Sequence, residues 1–175
     1  MKFMHVLLVC LSLLFVSSQL PKNILKKVDK EIKNTYNVEE FVLEAKVFET
    51  EIVKHLPSKF GANNFFKIKK DTTLLGYAYV SKAASKTDQF DYLILLNKDL
   101  VIEKAKVLIY RENYGGEIGS KRWLKQFVGK TPKDELKYMQ NIAAISGATI
   151  SVRSLTTAIN DLLRSLQTLQ TKNSL

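Results

Sequence analysis

Apolar residues recur at two spacings along this chain, and the change of spacing divides it into elements. Ile24, Val28 and Ile32 stand four apart after Pro21, the stripe of an amphipathic helix with proline at its start. Val38, Phe41, Val42, Ala45 and Val47-Phe48 fit either a second helix or a turn into a strand. Leu56-Pro57 breaks the pattern, and Gly61-Ala62-Asn63-Asn64 reads as a turn. From there the spacing is that of strands. Phe65–Lys69, Leu74–Ser81, Phe90–Leu96 and Leu100–Tyr110 are rich in β-branched and aromatic residues. A polar loop over 82–89 separates the second and third runs. Asn97-Lys98-Asp99 folds the fourth back on the third as an antiparallel hairpin. Gly76 marks a bulge or a close approach within its strand.

Helical spacing returns near the end. Ser120 to Gly129 predicts a short capped helix, with Trp123 and Phe127 on one face. Val152, Leu155, Ala158, Ile159, Leu162, Leu163, Leu166 and Leu169 form one continuous apolar face of a last helix. Arg153, Asn160, Asp161 and Arg164 fall off that face or at its edge, and residues 172–175 are expected to fray. The order of elements predicts an α+β domain, an antiparallel sheet flanked by helices.

The first residues add a destination. Lys2, the apolar run Val6–Val16 and the small residues Ser17-Ser18 make residues 1–18 a secretory signal peptide. The run is short for a membrane span, so cleavage is expected and an uncleaved anchor is the rival reading. One domain over 19–175 then faces the periplasmic or extracellular side. Cys10, the single cysteine, leaves with the signal, which excludes a disulfide, a catalytic thiolate and a cysteine-bound metal. His5 leaves too, and His55 by itself builds no histidine metal site. No metal site is expected.

Charge narrows the partners. Lys and Arg number 27 against 17 Asp and Glu, a net charge of +10 that favours anionic partners. The bases are scattered, no basic–aromatic stripe appears, and zinc-finger and helix-turn-helix signatures are missing, so nucleic acid is not expected. An acidic protein fits best, and peripheral contact with a membrane stays open. There is no P-loop, dinucleotide fingerprint or nucleophile elbow, and no catalytic residue is assigned.

The candidate chemistry lies in Ser146-Gly147-Ala148-Thr149-Ile150-Ser151, between the apolar approach Ile142–Ile145 and the last helix. Gly147 and Ala148 leave the main chain open to close approach, so Thr149 presents its hydroxyl from an uncrowded turn. Free N–H groups at a helix start favour a phosphate there. Small hydroxyl residues before a helix are also ordinary caps. A second candidate is Arg111-Glu112-Asn113-Tyr114-Gly115-Gly116, whose glycines permit a tight turn against a ligand or a plain turn. Glu112 could equally pair with Arg111 or a lysine. Trp123 and Phe127 read first as core, and second as an aromatic wall.

The hexapeptide resembles the flavin-attachment motif of the FMN-binding domain family, as in the C subunit of sodium-translocating NADH:quinone reductase and the G subunit of Rnf-type complexes. That motif reads Asp-x-x-Ser/Thr-Gly-Ala-Thr-x-Ser/Thr. Ala143 stands where the Asp is usual, a residue the flavin transferase recognises in the family. The family's Glu-Thr-Pro-Gly-x-Gly is matched at Glu112 and Gly115 but not at Asn113 and Tyr114, and Phe127-x-Gly129-Lys130 is similar to a further family step. The resemblance covers about 74–163. It implies the FMN-binding domain fold, FMN as cofactor and a phosphoester to Thr149 made by a separate flavin transferase. Ser146, Gly147, Ala148, Ile150, Ser151, Glu112, Gly115, Gly116 and Trp123 would surround the flavin. The implied role is an exported electron carrier or redox subunit, more than a stand-alone enzyme, between a membrane oxidoreductase and an acceptor outside the cytoplasm. The alternatives are non-covalent FMN binding and a flavin-free basic binding module.

Overall fold

The computed structural model describes residues 20–175, so the signal-peptide reading of 1–18 lies outside the described residues. Helix α1 (Lys22–Tyr36) follows Pro21 and buries Ile24, Val28 and Ile32, as their spacing predicts. The next apolar cluster resolves into strand β1 (Val42–Ala45), and a single helical turn, α2 (Thr50–Val53), follows where no helix was expected. Strands β2 (Phe65–Lys70), β3 (Thr73–Ala84), β4 (Gln89–Asn97) and β5 (Ile102–Ile109) come next. Every neighbouring pair is antiparallel, and the sheet order is the chain order, β1-β2-β3-β4-β5.

The loop predicted over 82–89 is shorter than its polarity suggests. The β3–β4 ladder continues through Ala83↔Phe90 to Ala84↔Gln89, because Ala83 and Phe90 are buried and hold the strands together beyond Ser81. The β4–β5 turn uses Asn97 as expected: its side-chain oxygen accepts from the N–H groups of Asp99 and Val101, each at 3.0 Å. Gly76 is both a bulge neighbour and a close approach. The β2–β3 register shifts at Ile68/Lys69, opposite Gly76 and Leu74, and a Cβ on Gly76 would lie 2.0 Å from the Leu96 carbonyl oxygen. The Tyr36 hydroxyl donates to that same oxygen at 2.8 Å, pinning the end of α1 to the sheet.

Alternating side chains give the sheet two apolar faces. Phe66, Ile68, Val80, Leu93 and Leu95 pack under α1. Phe65, Tyr77, Tyr79, Phe90, Tyr92 and Ile94 pack under α4 (Thr149–Thr171). Between β5 and α4 the chain runs through a 3-10 turn (Gly116–Gly119), helix α3 (Lys121–Leu124) and a second 3-10 turn (Lys125–Phe127). The helix predicted over 120–129 is therefore two short pieces. Its cap is as expected, with the Ser120 hydroxyl accepting from the Trp123 N–H at 3.3 Å, and Gly129 ends it at φ +82°. The chain end does not fray: the Ser174 N–H donates to the Leu169 carbonyl at 3.0 Å and Leu175 packs against the core. Among the described residues, no helix is long and apolar enough to cross a membrane.

Candidate functional site

Helix α4 begins at Thr149, and Ala148 occupies the capping position with no side-chain cap bond. The hydroxyls that could have been ordinary caps are therefore not used as caps. The Ser151 hydroxyl pairs at 3.0 Å with the hydroxyl of Tyr110, the residue just past β5. The N–H groups of the first helical turn have no partner within the helix. A helix of 23 residues adds the positive end of its dipole at this point. Thr149 and Ser146 are exposed, whereas Ala148 is buried at the head of the core. Gly147 takes φ +78°, which a side chain would resist, and nothing lies within 4 Å of where its Cβ would sit.

The glycine loop reaches this turn. Gly115 sits at φ +76°, and a Cβ there would lie 2.9 Å from the Ala148 Cβ, 3.1 Å from the Tyr110 hydroxyl and 3.2 Å from the Gly147 carbonyl. Close approach between the two loops is what requires glycine at 115. Gly116 faces open space at the start of the 3-10 turn.

Between the loops lies a cavity of about 250 Å³, lined by Lys86, Tyr110, Glu112, Tyr114 and the run Gly147–Ser151. Glu112 makes neither of the ion pairs that its neighbours suggested. Its carboxylate accepts from the Thr87 N–H at 2.6 Å and the Thr87 hydroxyl at 3.0 Å, fastening the β3–β4 loop beside Lys86. The Thr87 amide is the largest cause of a pKa lowered to about 2. Arg111 turns the other way. It donates to Asp91, which is buried, and to the Gln89 carbonyl at 2.7 Å.

A carboxylate that stays ionised to such low pH is a poor general base for a threonine hydroxyl near neutrality. No hydrogen bond within the described residues holds that hydroxyl. The site can present Thr149 and accept an anion, but it holds no group placed to activate the hydroxyl.

Of the ten predicted site residues, the structure brings Thr149, Gly147, Ala148, Ile150, Ser151 and Glu112 to the cavity wall, with Gly115 packed directly behind. Ser146, Gly116 and Trp123 do not line it. Trp123 is 6% exposed, packs edge-on against Phe127 at 5.2 Å between ring centres, and donates its indole N–H to the Ala143 carbonyl at 2.8 Å. The Ala143 N–H donates in turn to the Gln126 side chain at 2.8 Å. Trp123 thus shapes the approach to the hexapeptide from beneath. Lys86, Tyr110 and Tyr114 are the lining residues that sequence reasoning missed. An exposed aromatic inside a glycine loop was the one signal that could have flagged Tyr114.

Residues 86–164 match the family model described as FMN-binding domain, a span from Lys86 in the β3–β4 loop to Arg164 in α4. No curated protein gives a significant match to the chain.

Proposed function

We propose, for a chain whose residues 86–164 match the model of the FMN-binding domain family, that it is an exported flavoprotein carrying FMN on Thr149 and passing electrons to a partner protein. FMN is the cofactor that this match implies. When bound, the flavin supplies one- and two-electron redox chemistry. The residues present suit it. The uncapped start of α4 suits a phosphate. Lys86 is an exposed cation on the same cavity, with no ion-pair partner among the described residues.

The observation that carries covalent attachment is the state of Thr149. It is exposed, it lies beside Gly147 and Ala148, and its hydroxyl has no hydrogen-bond partner among the described residues. Size argues the same way. Sites that enclose a small-molecule ligand span roughly 300–1,000 Å³. A cavity of about 250 Å³ encloses too little of a flavin nucleotide to hold it by burial. A phosphoester removes that difficulty, and it suits an exported protein, from which free FMN would be lost. The transfer needs an enzyme: the Thr149 hydroxyl gives up its proton, the new oxygen–phosphorus bond forms, and AMP leaves from FAD. The net charge of +10 suits docking to an acidic partner, with association slowing as salt rises.

Ala143 favours a second reading, in which FMN binds without the ester, because the usual transferase contact is missing. Intact mass decides between the two. The exported protein is made beside a flavin transferase, as wild type and as Thr149→Ala. A gain of FMN less one water, lost in the variant, establishes the covalent carrier. Yellow protein of unmodified mass establishes non-covalent binding. Colourless, unmodified protein overturns both and leaves a basic binding module.

A further inference from the structure

Large apolar side chains on a surface are informative when they gather. Tyr114 is 83% exposed and Ile150 is 49% exposed, and both line the cavity beside Thr149. They come from different segments, Tyr114 from the glycine loop and Ile150 from the first turn of α4. Other aromatic rings close by are engaged: Tyr110 packs against Phe90 at 5.6 Å and Trp123 against Phe127. No ring contact holds Tyr114 among the described residues. Tyr114 also departs from the family's loop pattern, so the family match by itself does not explain it.

We infer that Tyr114 and Ile150 form an open seat for the flavin ring, with the Tyr114 phenol stacked on the isoalloxazine. The cavity is too small to enclose the ring, so a ring tethered at Thr149 lies across its mouth, where these two side chains are. Stacking removes apolar surface of both partners from water and suits two flat π-systems. The loop is firm enough to present the phenol, because Gly115 is wedged against Ala148 and Glu112 is fastened to Thr87. The inference rests on the flavin reading above and assigns the ring end of the site.

Flavin emission tests it, because an excited flavin takes an electron from a phenol or indole in contact and returns it without emitting light. The full chain is prepared beside a flavin transferase as wild type, Tyr114→Ser, Tyr114→Trp and Ile150→Ser, and emission is divided by flavin absorbance. Wild type and Tyr114→Trp are expected to be dim. Tyr114→Ser should brighten severalfold, and Ile150→Ser less, because only the aliphatic side of the seat is lost. A side chain this exposed contributes little to folding, and rescue by Trp separates stacking from any structural role. If Tyr114→Ser is as dim as wild type per flavin, the seat is overturned while the flavin reading stands. If wild type takes up no flavin, both fall together.

Discussion

The two long helices cover opposite faces of one sheet in different ways. Helix α1 is a cover fastened by charge. It buries an apolar stripe, Glu31 reaches Lys104 at 3.6 Å and Lys106 at 3.5 Å, and Lys27 donates to the Leu108 carbonyl at 2.7 Å. Helix α4 buries polar residues as well, and most of them hold loops. Asn160 accepts from the Leu136 N–H at 2.9 Å, Ser165 from the Ser58 N–H at 2.9 Å, and Ser151 meets Tyr110. One helix closes a face; the other also ties down the chain at Leu136, Ser58 and Tyr110, the last at the candidate site. Burial alone would not separate them, since both have fully buried aliphatic residues. What separates them is where their polar groups are spent.

The comparison can be tested from its largest consequence down. Leu162→Ala empties a fully buried position on α4 and should cost about 3 kcal/mol in urea denaturation. Asn160→Ala leaves the Leu136 amide unpaired in a buried place, costing about 2 kcal/mol, with faster amide exchange over the loop before the hexapeptide. Gly115→Ala forces a Cβ against Ala148 at positive φ. It should cost about 1–3 kcal/mol and lower flavin content, because the wedge between the two loops opens. Glu31→Gln on α1 should cost less than about 1 kcal/mol and leave the exchange of the loop before the hexapeptide unchanged. If that variant loosens this loop as Asn160→Ala does, the division between the helices fails.

The smallest effect is set by pH. The Glu112 pKa is lowered in the folded state, so its bonds to Thr87 contribute above the usual carboxylate value of 4.5 and are lost as pH falls through about 2. The folded protein should keep the Thr87 amide signal constant from neutrality past pH 4.5, with its change centred near 2. A midpoint at the usual value would show that the clamp between the β3–β4 loop and Glu112 is not made.

Much of this was legible in the sequence. Ile24, Val28 and Ile32 announced α1, and the apolar runs announced β2 to β5, because burial writes its period directly into the chain. The apolar face of α4 was legible for the same reason. What stayed hidden depended on partners far apart in sequence. Nothing near Glu112 pointed to Thr87, and nothing near Asn160, read as a helix edge, pointed to Leu136. The hexapeptide was legible as small residues before a helix, but its failure to cap that helix was not, since Ser146 and Ser151 are both ordinary candidates. Strand β1 was ambiguous because a strand so short and so exposed carries almost no periodicity.

Position 143 is held entirely by its main chain. Gln126 takes its N–H, Trp123 donates to its carbonyl, and its side chain is exposed. An aspartate there would keep both of these main-chain bonds and place its carboxylate in solvent. What position 143 presents to solvent is therefore separable from the stability of the scaffold.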